Sequence, residues 1–229
     1  MKTTVIFDMD GVLSDTEKIH AQIESGLLKS YGIQVSVKEL IAEYAGVADR
    51  EFFKEVFEKF RVESDIDEVI RKKWSIMMEV STDGIEPIEG AISLIEYLWA
   101  RGFKLAVASS SPSKFVDLVL NKLNIRQFFS AVASQDDVQM TKPDPEIFLF
   151  IAEELGVKPC TCLVIEDGLP GMIAARRAGM KCIGYIRTRT GERERIYPVD
   201  FVVENLMQIS ADPKIKELLG SCFQCEEKY

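Results

Sequence analysis

The 229-residue chain contains no run of about 18 uncharged apolar residues, so no transmembrane helix is expected. Its start, MKTTVIFDMDGV, joins a basic residue to a short apolar stretch. Asp8 and Asp10 interrupt that stretch too early for a signal peptide. Dominant basic clusters are also absent, and the net charge is −9, which argues against nucleic acid and against an anionic membrane surface as partners. An anionic small substrate is not excluded, because a site needs only a few local cations. The five cysteines lack the spacing of a disulfide framework. Free thiols and a cytoplasmic location are therefore expected. Cys222 and Cys225 form a lone CxxC with no second pair to complete a zinc site. There is no internal repeat and no low-complexity stretch. What remains is ordinary globular composition, 47% hydrophobic and 28% charged, long enough to bury a core without staples.

Six short apolar runs read as buried parallel strands: Thr3 to Phe7, Lys104 to Ser109, Ala131 to Ser134, Cys162 to Ile165, Lys181 to Ile186 and Phe201 to Val203. They lack polar alternation, as expected when helices cover both sheet faces. Helical stripes fall between them: Ile92, Ile95, Leu98 and Trp99; Phe115, Val116, Val119, Leu120 and Leu123; Ile147, Ile151, Ala152 and Leu155; Ala174, Ala175 and Ala178. The alternation predicts a doubly wound, Rossmann-like α/β core with a parallel sheet. Residues 16–81 break it and read as helices throughout, with Asp49 as an N-cap ahead of the apolar face Phe52, Phe53, Val56, Phe57 and Phe60. The expected organisation is a core of residues 1–15 plus 82–220, a helical cap of 16–81, and a loose tail at 221–229. Hinges are expected at Ser14-Asp15 and Ser81 to Gly84.

Four elements at the ends of predicted strands carry candidate chemistry. Asp8-Met9-Asp10-Gly11 places two carboxylates two residues apart, with a glycine to turn the chain. Alone, these could be solvated turn acids. A calcium loop is disfavoured because Gly11 comes too early. Ser109, Ser110 and the backbone amides beyond them could hold phosphate oxygens, or merely cap a helix. Lys142, stiffened by Pro143 and Pro145, could bring a positive charge to a phosphoryl group, or be a solvated loop lysine. Glu166-Asp167 are adjacent acids at the end of a buried strand. They are costly there unless hydrogen-bonded or bound to a cation, and their hard oxygens suit Mg²⁺.

Taken together, Asp8, Asp10, Ser109, Lys142 and Glu166-Asp167 resemble, in order, the signature of the haloacid dehalogenase superfamily, from Thr3 to about Asn205. Asp8 to Val12, Asp15 to His20, Gly46 to Arg50, Lys142 to Phe148 and Glu166 to Gly171 are similar to the motifs of its β-phosphoglucomutase-like branch. One departure is Gly168, where many relatives carry serine. The resemblance implies Mg²⁺ held by Asp8, Asp167, the backbone carbonyl of Asp10 and Glu166. It implies Asp8 as nucleophile toward phosphorus, Asp10 as general acid and base, and Ser109 and Lys142 on the equatorial oxygens. It further points to Arg50 as a cap contact to substrate and to His20 as a link between cap closure and catalysis. A surface arginine and a helix histidine without chemistry are the competing readings. Arg71 and Lys73 rank below Arg50.

The expected activity is hydrolysis of a small phosphorylated metabolite by a monomer or weak homo-oligomer, since a cap of this size obstructs folded proteins. A phosphomutase is the rival, with Lys114 a candidate for a distal phosphate. A non-catalytic binding module is the third reading. Dehalogenation and phosphonate cleavage are disfavoured because those branches depart from the second aspartate.

Overall fold

The computed structural model describes residues 3–44, 46–187 and 197–220. The tail 221–229, with Cys222 and Cys225, lies outside the described residues.

All six predicted strands form: β1 (Thr4–Phe7), β2 (Lys104–Ala108), β3 (Ala131–Ala133), β4 (Cys162–Glu166), β5 (Lys181–Tyr185) and β6 (Phe201–Val203). They make one sheet in the order β3-β2-β1-β4-β5-β6, with every pair parallel. Strand β1 is fully buried, with Val5 and Phe7 in one apolar cluster and Ile6 in the other. That explains the unbroken apolar runs, because each face of the sheet has its own layer of helices. Helices α5 (Ala91–Ala100) and α6 (Ser113–Lys122) feed the first cluster, and α7 (Glu146–Glu154) and α8 (Leu169–Arg177) the second. Two short helices, α9 (Met207–Ala211) and α10 (Pro213–Gly220), close the first face through Ile209, Ile215 and Leu219.

Four helices lie between β1 and β2: α1 (Glu17–Ser30), α2 (Val37–Tyr44), α3 (Asp49–Phe60) and α4 (Ile66–Gly84). They bury a third cluster of their own, centred on Leu28, Leu40, Phe52, Phe53, Val56 and Val69. Helix α4 runs through to Gly84, so the link expected at residues 81–84 is helical backbone and the extended connection starts at Ile85. Some side chains depart from the predicted stripes. Trp99 is 55% exposed and Phe60 is exposed too, because each stands at the edge of its apolar face. Asp49 is the first residue of α3 rather than its cap; Ala48 holds that position, and the aspartate turns elsewhere. Among the cysteines, Cys162 and Cys182 are free and buried. Cys160 is disulfide-bonded, contrary to the expectation of free thiols throughout. No helix among the described residues is long and apolar enough to cross a membrane.

Candidate active site

Strand β1 has β2 on one side and β4 on the other, so the order of connections reverses beside it. Open parallel sheets bind ligands at the carboxyl ends of strands at such a point. The register brings Phe7 level with Val107 and Ile165, and the residues just past these three ends meet. Asp8 is anchored there by its amide, which donates to the Ile165 carbonyl at 2.9 Å.

Lys142 reaches this level from the loop after β3. Its Nζ donates to Asp8 Oδ1 at 2.5 Å, Glu166 Oε1 at 2.7 Å and the Ala108 carbonyl at 3.0 Å. All three donors of the ammonium are thus used, which is how a buried lysine keeps its charge. Burial opposes that charge, but Asp8 and Glu166 outweigh it and raise the lysine above its ordinary value. Carboxylate oxygens of Asp8, Glu166 and Asp167 lie within 4.8 Å of one another. Burial pushes both Asp8 and Asp167 well above the usual carboxylate range. Lys142 opposes this at each, while Glu166 and Asp10 add to it at Asp8, and Glu17, Asp8 and Glu166 add to it at Asp167. Three converging carboxylates with one ammonium are under-neutralised. A hard divalent cation fits this donor set.

Two glycines make the crowding possible. Gly11 has φ +87°, and a Cβ there would sit 1.9 Å from Asp167 Oδ2. A Cβ on Gly171, in α8, would sit 1.7 Å from Glu166 Oε1. Alanine in a helix is ordinarily about 1 kcal/mol better than glycine. Gly171→Ala is nevertheless expected to lower the melting temperature, because Glu166 must leave its place beside Lys142. An unchanged or higher melting temperature would show that the carboxylate moves aside freely.

Asp10 is held differently. Its carboxylate accepts from Thr16 Oγ1, from Ser111 Oγ at 2.8 Å and from Ser109 Oγ at 3.4 Å. His20 Nε2 stands 3.7 Å from Asp10 Oδ1, buried and without a hydrogen-bond partner. Its ring is edge-on to Trp74 of α4 at 5.5 Å and to Phe115 of α6 at 5.9 Å. Burial works to raise Asp10, but His20, Thr16 and Ser111 together bring it below its ordinary value.

These side chains face a cavity of about 110 Å³, roofed by α1, α4 and the loop between α2 and α3. It brings together Asp8, Asp10, His20, Ser110, Lys142, Glu166 and Asp167; Ser109 stands behind it, against Asp10. Two candidates from the sequence are not brought in. Arg50 is 64% exposed and paired with Asp67 on the outer surface, because it begins the solvent face of α3. Lys114 is exposed on the first turn of α6 and does not line the cavity. The cation in the roof is instead Lys73, with 2% of its side chain exposed, bonded to Glu24 at 2.6 Å and to Asp49. Its position was readable, since 73 continues the apolar stripe Ile66, Val69, Ile70 and Met77 of α4, where a lysine is out of place unless paired. From the sequence, Lys73 ranks below Arg50, and Thr16, Ser111 and Gly171 are given no role of their own.

The chain is 32% identical to the fructose-1-phosphate phosphatase of Escherichia coli over 179 residues, spanning 78% of this chain and 94% of that one. It is 29% identical to hexitol phosphatase B of the same organism over 221 residues, 94% and 96% of the two chains. The β-phosphoglucomutase structure from Clostridium difficile superposes with a TM-score of 0.77 at 26% identity, covering 96% of this chain and 99% of the other. Residues 5–185, which run from β1 to the end of β5 and carry every acid and the lysine described above, match the haloacid dehalogenase-like hydrolase family, and the chain belongs to it.

Proposed function

We propose that the protein is a magnesium-dependent phosphatase of a small phosphorylated metabolite, with Asp8 as nucleophile. The observation that carries this reading is the contact of Asp8 with Lys142 at 2.5 Å, beside Glu166 and Asp167, on the floor of a small roofed cavity. The relatives named above as phosphatases of fructose 1-phosphate and of hexitols support the same reading. Asp8, Glu166, Asp167 and the Asp10 carbonyl are the residues that would hold Mg²⁺. Bound there, the ion would offset the repulsion between a phosphate dianion and the carboxylate nucleophile.

In the proposed reaction an Asp8 carboxylate oxygen bonds to phosphorus as the ester P–O bond breaks, and the leaving alkoxide takes a proton from Asp10. Water then attacks the aspartyl-phosphate, giving its proton to Asp10. Inorganic phosphate departs and the Asp8 carboxylate is restored. Lys142 and the Ser109 hydroxyl stabilise the equatorial oxygens. The first half needs Asp10 protonated and the second needs it ionised. Its lowered pKa, which His20, Thr16 and Ser111 set against burial, matches the second.

The test is release of inorganic phosphate from p-nitrophenyl phosphate and from sugar monophosphates, with and without Mg²⁺. Turnover that ignores the metal would overturn the reading. Incubation with β-glucose 1-phosphate and a trace of glucose 1,6-bisphosphate separates the mutase: glucose 6-phosphate forming faster than free phosphate would establish transfer to sugar.

Magnesium should also stabilise the fold, and more so as pH rises. Asp8 and Asp167 have raised values in the folded chain. From the ordinary carboxylate range up to those values the folded state binds more protons than the unfolded one. Stability of the metal-free protein therefore falls as pH rises through that window. The ion replaces those protons, so its increment in melting temperature should be larger at about pH 8 than at about pH 5.5. An equal or smaller increment at the higher pH would count against these carboxylates as ligands.

A further inference from the structure

The roof of the cavity carries charges that the reaction does not use. Lys73 is buried between Glu24 of α1 and Asp49 of α3, and all three line the space above Asp8. Burial opposes the lysine's charge, but the two carboxylates outweigh it and hold it protonated. Two of its three N–H donors are spent on them. Asp49 keeps one buried oxygen, Oδ2, with no hydrogen-bond partner. On the floor, Lys142 is committed to Asp8 and Glu166. Among the described residues no arginine lines the cavity, and both lysines that do are already matched by two carboxylates each.

Resting on the phosphatase reading, we infer that the Lys73, Glu24 and Asp49 cluster is the specificity subsite for the end of the substrate remote from the scissile phosphate, that it takes an uncharged, hydroxyl-bearing chain, and that it rejects a second phosphate. A hydroxyl brings both a donor and an acceptor. Its O–H can satisfy the orphan oxygen of Asp49, and its oxygen can accept the remaining N–H of Lys73. A phosphate dianion brings only acceptors at neutral pH. It would meet Asp49 and Glu24 with no uncommitted lysine or arginine lining the cavity among the described residues to offset them. Leaving buried polar groups unpaired, or setting like charges side by side, is how a site discriminates strongly between close analogues.

The experiment compares kcat/KM for phosphate release from sorbitol 6-phosphate and from sorbitol 1,6-bisphosphate, in the wild type and in Asp49→Asn and Glu24→Gln, with melting curves to confirm that each variant folds. The wild type should prefer the monophosphate on the order of 100-fold. Each neutral, near-isosteric variant should narrow that ratio by about tenfold or more, because Lys73 then has charge to spare for a second phosphate. A wild-type ratio near one, or a ratio unmoved in both folded variants, would overturn the inference. Wild-type turnover of p-nitrophenyl phosphate keeps the two readings apart. If it is present with a ratio near one, only the subsite assignment fails. If turnover is absent for every monoester, the phosphatase reading fails and takes the subsite with it.

Discussion

Asp8→Asn is expected to cut turnover of phosphate monoesters by at least about 10⁴-fold while leaving the fold intact. The amide keeps the shape of the carboxylate but cannot form the acyl phosphate. Removing a charge that burial, Glu166 and Asp10 all disfavour should leave the metal-free melting temperature unchanged or raise it. Lys142 is not stranded, because it retains Glu166 and the Ala108 carbonyl. Activity and melting temperature therefore separate, which they would not do if Asp8 were a structural acid. Variant turnover within an order of magnitude of wild type, with carry-over of wild-type enzyme excluded, would remove the nucleophile assignment.

Lys142→Met should fail on both counts. It leaves Asp8 and Glu166 buried against each other without their shared cation, and breaking a buried ion pair from one side typically costs about 3–5 kcal/mol. The lysine's own titration should add no pH dependence near neutrality. The lysine's pKa is raised by folding, so its contribution is fully present below the ordinary lysine value and is lost only as pH climbs through the raised one. Lowering the pH, by contrast, should partly rescue the variant as the orphaned carboxyls take up protons. Turnover should fall with stability, since the ammonium also faces the phosphoryl oxygens. A variant that melts like wild type at neutral pH would show that the two acids had found other partners.

The sheet was legible because each strand is a short run of apolar residues with chemistry immediately after it: Asp8 after Phe7, Ser109 after Ala108, Glu166 at the end of β4. Backbone register converts that adjacency in sequence into adjacency in space. The roof was harder to read. A helical position one residue out of phase turns about 100° around the axis, so Arg50 points to solvent while its neighbour Asp49 faces inward. Motif likeness selected the arginine; the stripe on α4 would have selected Lys73. Of the supports of Asp10, Thr16 lies inside the motif Asp15 to His20 without a role assigned to it, and the Ser111 hydroxyl carries no distinctive spacing. Gly171 was quoted only as the end of a motif. Its need to be glycine arises from a carboxylate 1.7 Å from where a methyl would stand, and that becomes visible only once both are placed.

The two crossings between the sheet and the inserted helices run side by side. Asp15 donates its amide to the Glu86 carbonyl at 3.0 Å, Ile88 donates to that of Leu13 at 3.1 Å, and Ser14 bridges to Pro87. The insert thus leaves and re-enters the sheet at essentially one point, like a two-pin plug. Exchanging everything between those pins would disturb neither strand order nor register. Apart from Thr16 and His20, which support Asp10 from the insert, the chemistry of the floor and the selectivity of the roof can therefore change independently over evolutionary time. A graft of a foreign helical segment between His20 and Glu86 would inherit the one and replace the other.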